Sequence, residues 1–409
     1  MTMRRYEHER DREQIHKVLR EVNWLPDGEE QEEAQDAFSL GARGYVAELS
    51  GLPECYVTTM PGTYRYQQSD LSLCCVTGVC TSRVARKQGL AGRLTAMAVA
   101  ECAADGAEVA GLGVFDQGFY NLLGFGTGVY EYEVHFDPAD LTVTGKARVP
   151  VRLSREDYVE MHEARTRSFR RHGSATVGPP DFTRMRVTKP EKSFGLGYRG
   201  DDGRITHHFW CHTEGGPEGP WGIAWVSYET YEQLTELFLL IKGLGDQVRT
   251  FVITQPPQVQ MQDILQRPLR TQTYRAESKH KTGIIAKAYW QLRINDVAAC
   301  IAKTHAREEV AFNLRLTDPI ERYLDDSAAW RGVGGEYVVT LGAESSAVRG
   351  AKAGLPVLDA SVNAFTRMWL GVRPATTLAV TDDIKGEGAL LARLDEAFML
   401  PAPHLGWFF

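Results

Sequence analysis

A basic turn ahead of a helical pattern is the stretch of this sequence best suited to chemistry. Its residues are, in order, Arg86, Lys87, Gln88, Gly89, Leu90 and Ala91. The first N–H groups of a helix have no intrahelical partners, and the helix dipole adds positive potential at that end. Such a turn suits a pyrophosphate. A helix start that only carries solvated basic residues would have the same pattern.

Two other phosphate-binding loops do not fit the sequence. It contains no G-x-x-x-x-G-K-[ST] motif, and its glycines lack the G-x-G-x-x-G spacing. The elements that must position the basic turn are the apolar strand "LSLCCVTGVCT" before it and a helix from Gly89 to Ala104 after it. With the further helix and β-rich segments near the N-terminus, they predict a mixed α/β domain over residues 1–137.

The rest of the chain reads as two more units, because 409 residues exceed what one hydrophobic core accommodates. Residues 138–285 repeat the order helix, strands, helix, strand, which fits a distant duplication of the first unit. No residues recur at a fixed period, so the duplication rests on order alone. Residues 286–409 predict a third, α+β unit.

Composition and charge narrow the function classes. The chain is 43% hydrophobic and 24% charged, which is typical of a globular protein. Its net charge of −7 argues against nucleic acid as a partner. No apolar run is long enough to cross a membrane, and the N-terminal residues lack a signal-peptide core, so we expect a cytoplasmic protein without membrane contact. The seven cysteines form no C-x-x-C pair and are expected to be reduced thiols.

The order of elements and the R-x-x-G-x-A turn resemble the Gcn5-related N-acetyltransferase superfamily. The resemblance implies that amides of the turn hold the diphosphate of acetyl-CoA and that the preceding strand pairs with the pantetheine arm. The implied acetyl-CoA residues are Val79 and Thr81 on the strand and Arg86, Lys87, Gln88, Gly89, Leu90 and Ala91 in the turn. The proline often found between strand and turn is missing here.

The stretch "FYNLLGF" carries a second part of the resemblance. In these acetyltransferases a Y-x-x-x-G-F/Y segment follows the short strand, and Tyr120 occupies the tyrosine position four residues before Gly124. The resemblance implies that Tyr120 is the general acid that protonates the departing thiolate. The alternative is a half-buried tyrosine that serves packing.

Together with the three-part length and the aromatic C-terminus "PAPHLGWFF", these motifs resemble the Eis-like (enhanced intracellular survival) N-acetyltransferases. The implied fold is α/β (α+β): tandem acetyltransferase domains over 1–137 and 138–285, the second degenerate, then a sterol carrier protein-like domain over 286–409. The implied activity is direct acetyl transfer, in a ternary complex, to aminoglycoside, polyamine-like or lysine amines. The implied assembly is a hexamer.

The resemblance also assigns the acceptor side of the site. It implies that the C-terminal carboxylate, on Phe409, acts as general base and that Trp24 and Phe115 bind the substrate. Burial among aromatic residues should raise the pKa of that carboxyl from its ordinary value of about 3.5. The alternative is an apolar tail that only docks. The loop before Tyr120 reads "GVFDQG" and lacks the Ser and His of the best-known members.

Three other interpretations remain beside the enzyme. The chain could carry a lipid or hydrophobic ligand in its last unit, or bind CoA as a regulator without turnover. The segment "THHFWCHT" invites a metal site, but His208 and His212 on a strand would stand about 13 Å apart. We therefore expect no metal. The acidic residues between 29 and 36 predict a solvated helix face. The resemblance implies instead that this region borders the amine pocket, where a few of these acids could hold a cationic substrate.

Overall fold

The structure is a computed structural model that describes residues 2–116, 118–189, 192–213, 215–268 and 279–409. No helix among these residues is both long and apolar enough to cross a membrane. The helices are α1 (His8–Glu21), α2 (Glu29–Gly41), α3 (Leu90–Ala104), α4 (Tyr158–Arg167), α5 (Asp181–Thr188), α6 (Tyr231–Gly243), α7 (Val297–Ala302), α8 (Val362–Trp369), α9 (Ala375–Thr381) and α10 (Gly388–Ala397).

The first sheet holds the strands around the basic turn. Its order is β1-β2-β3-β4-β5-β15-β6, with β9 paired to β3. Strands β4 and β5 run parallel, whereas the other pairs are antiparallel. The bounds are β1 (Thr2–Arg5), β2 (Arg43–Leu49), β3 (Leu52–Tyr66), β4 (Ser69–Thr81), β5 (Val109–Gly113), β6 (Gly126–Thr127), β9 (Ala175–Val177) and β15 (Trp290–Ile294).

The second sheet covers most of the middle of the chain, in the order β14-β7-β13-β12-β11-β10-β8. Helix α6 packs against β11 in this unit. The bounds are β7 (Glu131–Phe136), β8 (Val151–Leu153), β10 (Ser193–Arg199), β11 (Ile205–His212), β12 (Trp221–Ser227), β13 (Phe251–Thr254) and β14 (Gly283–Lys287).

The third sheet has the order β18-β17-β16-β19-β20, and helices α8 to α10 lie in the same part of the chain. The bounds are β16 (Val310–Thr317), β17 (Gly335–Leu341), β18 (Ser346–Arg349), β19 (Val357–Ser361) and β20 (Ile384–Gly386). Three sheets with helices between and around them confirm the predicted α/β class.

Two strands pair with strands that lie beyond a predicted domain boundary in the sequence. Strand β7 precedes residue 137, yet it pairs with β13 and β14 in the second sheet. Strand β15 follows residue 286, yet it pairs with β5 and β6 in the first sheet. Periodicity gives the faces of a strand but not its partner, so the sequence could not predict these two pairings. The division into three domains stays a prediction.

The histidines of "THHFWCHT" are part of the second sheet. They lie on β11, where His207 is 3.1 Å from Glu236 and the indole N–H of Trp225 donates to His208. Burial lowers the pKa of His208 to about 3, which keeps its ring neutral and able to accept that bond. Within the described ranges no group of three or more His, Cys, Asp or Glu side chains could hold a metal ion.

A buried ion pair joins the first sheet to the third unit. Arg293 of β15 donates to Asp318 at 2.6 Å, and both side chains are fully buried. Removing one member of such a pair leaves the other charge uncompensated. We expect Asp318→Ala to lower the free energy of unfolding by about 3–5 kcal/mol, measured by urea denaturation. Asp326→Ala is the control, because it removes an exposed carboxylate beside Arg331. Equal stability of the two variants would contradict the prediction.

Candidate active site

A gap opens between the two central parallel strands of the first sheet. Their ladder runs from Leu73 opposite Val109 to Val76 opposite Leu112. Strand β4 continues to Thr81 and stays paired with β3, but it has no further register with β5. Beyond Val76, the β5-facing edge of β4 is therefore available to another extended group.

A β-bulge lies in β4 at the start of this gap. Thr77 pairs with Thr58 and Cys80 pairs with Tyr56, so Gly78 and Val79 together oppose a single residue of β3. Gly78 has a φ of +65°, and a Cβ there would lie 2.8 Å from the Thr58 hydroxyl. A bulge removes a backbone group from the ladder and re-aims it. The backbone at Val79 can thus turn a donor toward the gap.

A cavity of about 510 Å³ occupies the gap. It brings together five of the predicted site residues: Trp24, Val79, Phe115, Tyr120 and Phe409. Phe115 is 85% exposed and meets the ring of Trp24 edge to face, with centroids 6.5 Å apart. These two aromatic rings lie at the border of the cavity.

The cavity reaches both faces of the sheet. On one face, Val76, Leu112 and Tyr120 belong to the core cluster formed with α3. On the opposite face, Tyr56 belongs to the cluster formed with α1, and Phe38 and Phe182 bring in α2 and α5. Two molecules that entered from opposite faces could therefore meet in the gap.

Tyr120 presents a protonated phenol to the cavity. Its ring is buried between Phe119 and Phe125, which it meets edge to face. Burial raises the pKa of Tyr120 above its ordinary value, so the group stays protonated near neutral pH. Among the residues that the structure describes, none hydrogen-bonds to the Tyr120 hydroxyl. The phenol is thus free to donate a proton to a ligand.

The aromatic tail, residues 407–409, reaches the same cavity from the face of the sheet opposite to Tyr120. The Gly113 N–H donates to the main-chain oxygen of Phe409 at 2.8 Å, and the Phe409 ring lies over Gly111. Phe408 stacks on Tyr289 with centroids 4.4 Å apart. Trp407 is buried under the guanidinium of Arg165. The last three side chains therefore hold residue 409 against β5.

The basic turn lies outside the cavity, at the end of β4 and the start of α3. Lys87 and Gly89 both have positive φ, at 63° and 73°, so the turn folds back before α3 begins. Arg86, Lys87, Gln88 and Gly89 are exposed, whereas Leu90 is buried and contributes only its backbone. Ala91 and Thr81 are half-buried, and neither lines the cavity. This geometry leaves the helix N-terminus open to solvent.

The sequence did not predict one wall of the cavity, which comes from α5. Phe182, Met185, Arg186 and Lys189 all line it, at the spacing of one helical stripe. That spacing was visible in the sequence, but nothing local connects residues 182–189 to residues near 80. Tyr289, Gln35 and Phe38 were missed for the same reason.

The acidic residues of α2 do not reach the cavity. Glu32 pairs with Arg12 and Arg20, and Asp36 pairs with Arg12. The α2 residues that line the cavity are Gln35 and Phe38. These acids therefore belong to an ion-paired helix face.

No family model and no curated protein matches the sequence. Solved structures do match over the full chain. A conserved protein of unknown function from Enterococcus faecalis V583, described as a probable N-acyltransferase, has a TM-score of 0.79 at 15% identity and covers 100% of this chain and 99% of its own.

Two further structures match from end to end. A GCN5-related N-acetyltransferase from Anabaena variabilis ATCC 29413 has a TM-score of 0.77 at 12% identity, with 100% of both chains covered. Eis1 from Mycobacterium abscessus has a TM-score of 0.73 at 14% identity, also with 100% of both chains covered. The chain has the Gcn5-related N-acetyltransferase fold. At these identities the likeness concerns the N-acetyltransferase fold alone, and the sterol carrier protein-like assignment of the last unit stays a prediction.

Proposed function

We propose that the protein is an acetyl-CoA-dependent N-acetyltransferase that acts on a primary amine. The observation that carries the proposal is the cavity between β4 and β5, which collects Val79, Tyr120 and Phe409. The N-acetyltransferase fold supports it as well. The proposal includes the more specific expectations from the sequence. The enzyme would be Eis-like and cytoplasmic, it would assemble as a hexamer, and its acceptors would be aminoglycoside, polyamine-like or lysine amines.

The donor would bind along the face that carries α3. Backbone N–H groups of the turn at Gln88, Gly89 and Leu90 would hold the diphosphate, with positive charge from Arg86 and Lys87. The free edge of β4 at Val79 and Thr81 would pair with the amides of the pantetheine arm, as a further strand pairs with a sheet. In this pose the thioester would lie in the gap beside Tyr120.

Transfer would then proceed in one ternary complex. The neutral amine attacks the thioester carbonyl, the C–S bond breaks, and Tyr120 gives its proton to the departing sulfur. The backbone N–H at the Val79 bulge would stabilise the oxyanion. In a chain that ends at Phe409, the terminal carboxylate would accept the proton that the amine releases. Tyr120 regains its proton from solvent after the products leave.

Acetyl-CoA binding tests the donor half of this proposal. At a concentration about 100 times its Kd, acetyl-CoA should stabilise the protein by about 2.7 kcal/mol, seen as a rise in Tm by calorimetry. A lipid carrier predicts no rise, and a regulator without turnover predicts the rise but no thiol release with any amine. Absence of a shift at saturating acetyl-CoA would refute the enzyme assignment.

The turn glycine gives a sharper test of where acetyl-CoA binds. Gly89→Val introduces a β-branched residue at a φ of 73°, which distorts the turn. We expect the Kd for acetyl-CoA to rise at least about 10-fold, measured by titration calorimetry. Gly203→Val is the matched control, because Gly203 has a φ of 78° with open space around it on the β10–β11 turn. Equal effects of the two substitutions would contradict the assigned site.

A further inference from the structure

Two cationic side chains face the cavity from α5 and its end: Arg186 lies in the helix, and Lys189 is its C-cap residue. Phe182, Met185, Arg186 and Lys189 follow one another at intervals of three or four residues, and all four line the cavity. Arg186 and Lys189 are half-buried, one turn apart, next to the apolar pair that precedes them. The acceptor side of the gap thus carries two positive charges.

The two cations differ from the other basic residue of this helix in what surrounds them. Across the described residues, no hydrogen bond or ion pair reaches the Arg186 guanidinium or the Lys189 ammonium. Arg184 of the same helix differs, because it lies near Glu33 at 3.8 Å on another face. Burial lowers the pKa of both cavity cations, that of Lys189 to about 8. A cation that is partly removed from water and has no counter-ion favours an anion brought by a ligand.

The described cavity wall contributes no aspartate or glutamate. The proposed carboxylate of Phe409 is its one anionic group, and that residue's main-chain oxygen accepts from the Gly113 N–H. No ion pair within 4.0 Å joins Phe409 to Arg186 or Lys189. Even with that carboxylate ionised, the charges of the wall do not cancel.

The two cations are also on the wrong side to bind the donor diphosphate. Helix α5 packs against α2 and α4, in the layer that supplies Phe38 and Phe182 to the cavity. The basic turn and α3 belong to the opposite face of the sheet. Arg186 and Lys189 therefore face the position of the acceptor.

We propose that the acceptor is a small amine that carries a negatively charged group, a carboxylate or a phosphate, held by Arg186 and Lys189. The inference rests on the proposed acetyltransferase function, and it replaces the polycationic acceptors expected from the resemblance with an anionic amine. A guanidinium can bind either anion through two parallel hydrogen bonds, and a neighbouring ammonium adds a point charge. A polycation such as an aminoglycoside or a polyamine would meet like charge at the same place.

Matched pairs of amines test the charge preference. Thiol release is measured for β-alanine against β-alaninamide, for 2-aminoethyl phosphate against 2-aminoethanol, and for spermidine and an aminoglycoside as polycations. We expect kcat/KM to be about 10- to 100-fold higher for at least one anionic amine than for its neutral partner, as expected for hydrogen bonds to a charged group. The two pairs separate a carboxylate preference from a phosphate preference.

Substitutions locate the preference on α5. Arg186→Gln and Lys189→Met should each lower kcat/KM for the preferred anionic amine by about 10-fold or more relative to any change for its neutral partner. Arg184→Gln should change neither value. Calorimetric titration of the same amines into the protein with CoA bound gives a reading that needs no turnover, and melting curves establish that each variant folds.

The possible failures are distinguishable. Turnover of neutral or polycationic amines at rates equal to the anionic ones would overturn the charge assignment and leave the acetyltransferase intact. Anionic amines that neither bind the CoA complex nor react would overturn it as well. Failure of acetyl-CoA to bind would instead overturn the proposed function on which the inference rests.

Discussion

Tyr120→Phe is expected to lower kcat by about 10²- to 10⁴-fold, the range typical of a lost general acid. The substitution removes only the hydroxyl and keeps the edge-to-face packing with Phe119 and Phe125. The KM for acetyl-CoA should change by less than about 3-fold, because the hydroxyl acts on the leaving sulfur and not on donor binding. Steady-state thiol release over a range of both substrates measures the two constants.

A buried tyrosine elsewhere supplies the control. The Tyr64 hydroxyl is buried, finds no hydrogen-bond partner among the described residues and does not line the cavity, so Tyr64→Phe should keep wild-type kcat. The pH profile adds a second reading. Because burial raises the pKa of Tyr120 above about 10, its acid form persists at higher pH, and no alkaline loss of kcat through this group is expected below pH 10. Wild-type turnover by Tyr120→Phe would refute the assignment.

Local patterns predicted the parts of the site that are local in the chain. The basic turn, the strand before it and the helix after it are consecutive, so turn chemistry and helical spacing were sufficient to find them. Tyr120 follows within a short segment whose motif is also continuous. The mixed α/β class follows from the same information, since each element has its own period.

Long-range pairing decides the parts that the sequence could not predict. Strand β15, from residues 290–294, pairs in the first sheet, and β7 pairs in the second. The sequence pattern of neither strand specifies its partner. Arg186 and Lys189 reach the cavity only because α5 packs on α2. The acids of α2 looked suited to a cationic amine, but the arginines that pair with them become visible only in three dimensions.

Displacing Phe409, the end of the aromatic tail, is the second change expected to lower kcat strongly. A Cβ at residue 113 would lie 2.6 Å from the main-chain oxygen of Phe409, so Gly113→Ala must push that group away from β5. If the Phe409 carboxylate is the proposed base, we expect kcat to fall by about 10²-fold with little change in the KM for acetyl-CoA. Gly222→Ala is the control, because a Cβ there meets open space on a strand of the second sheet.

A chain extended by two residues after Phe409 separates chemistry from docking. The extension turns the Phe409 carboxylate into a peptide carbonyl, which can still accept from the Gly113 N–H but cannot accept a proton from the amine. A docking tail therefore predicts full turnover whenever the extended protein melts like the wild type. A catalytic base predicts that kcat falls by about 10²-fold or more while Tm is unchanged. The loss should be clearest at low pH, where fewer amine molecules are neutral before they bind. Full turnover by a folded extended chain would leave Phe409 as an anchor and require another proton acceptor in the cavity.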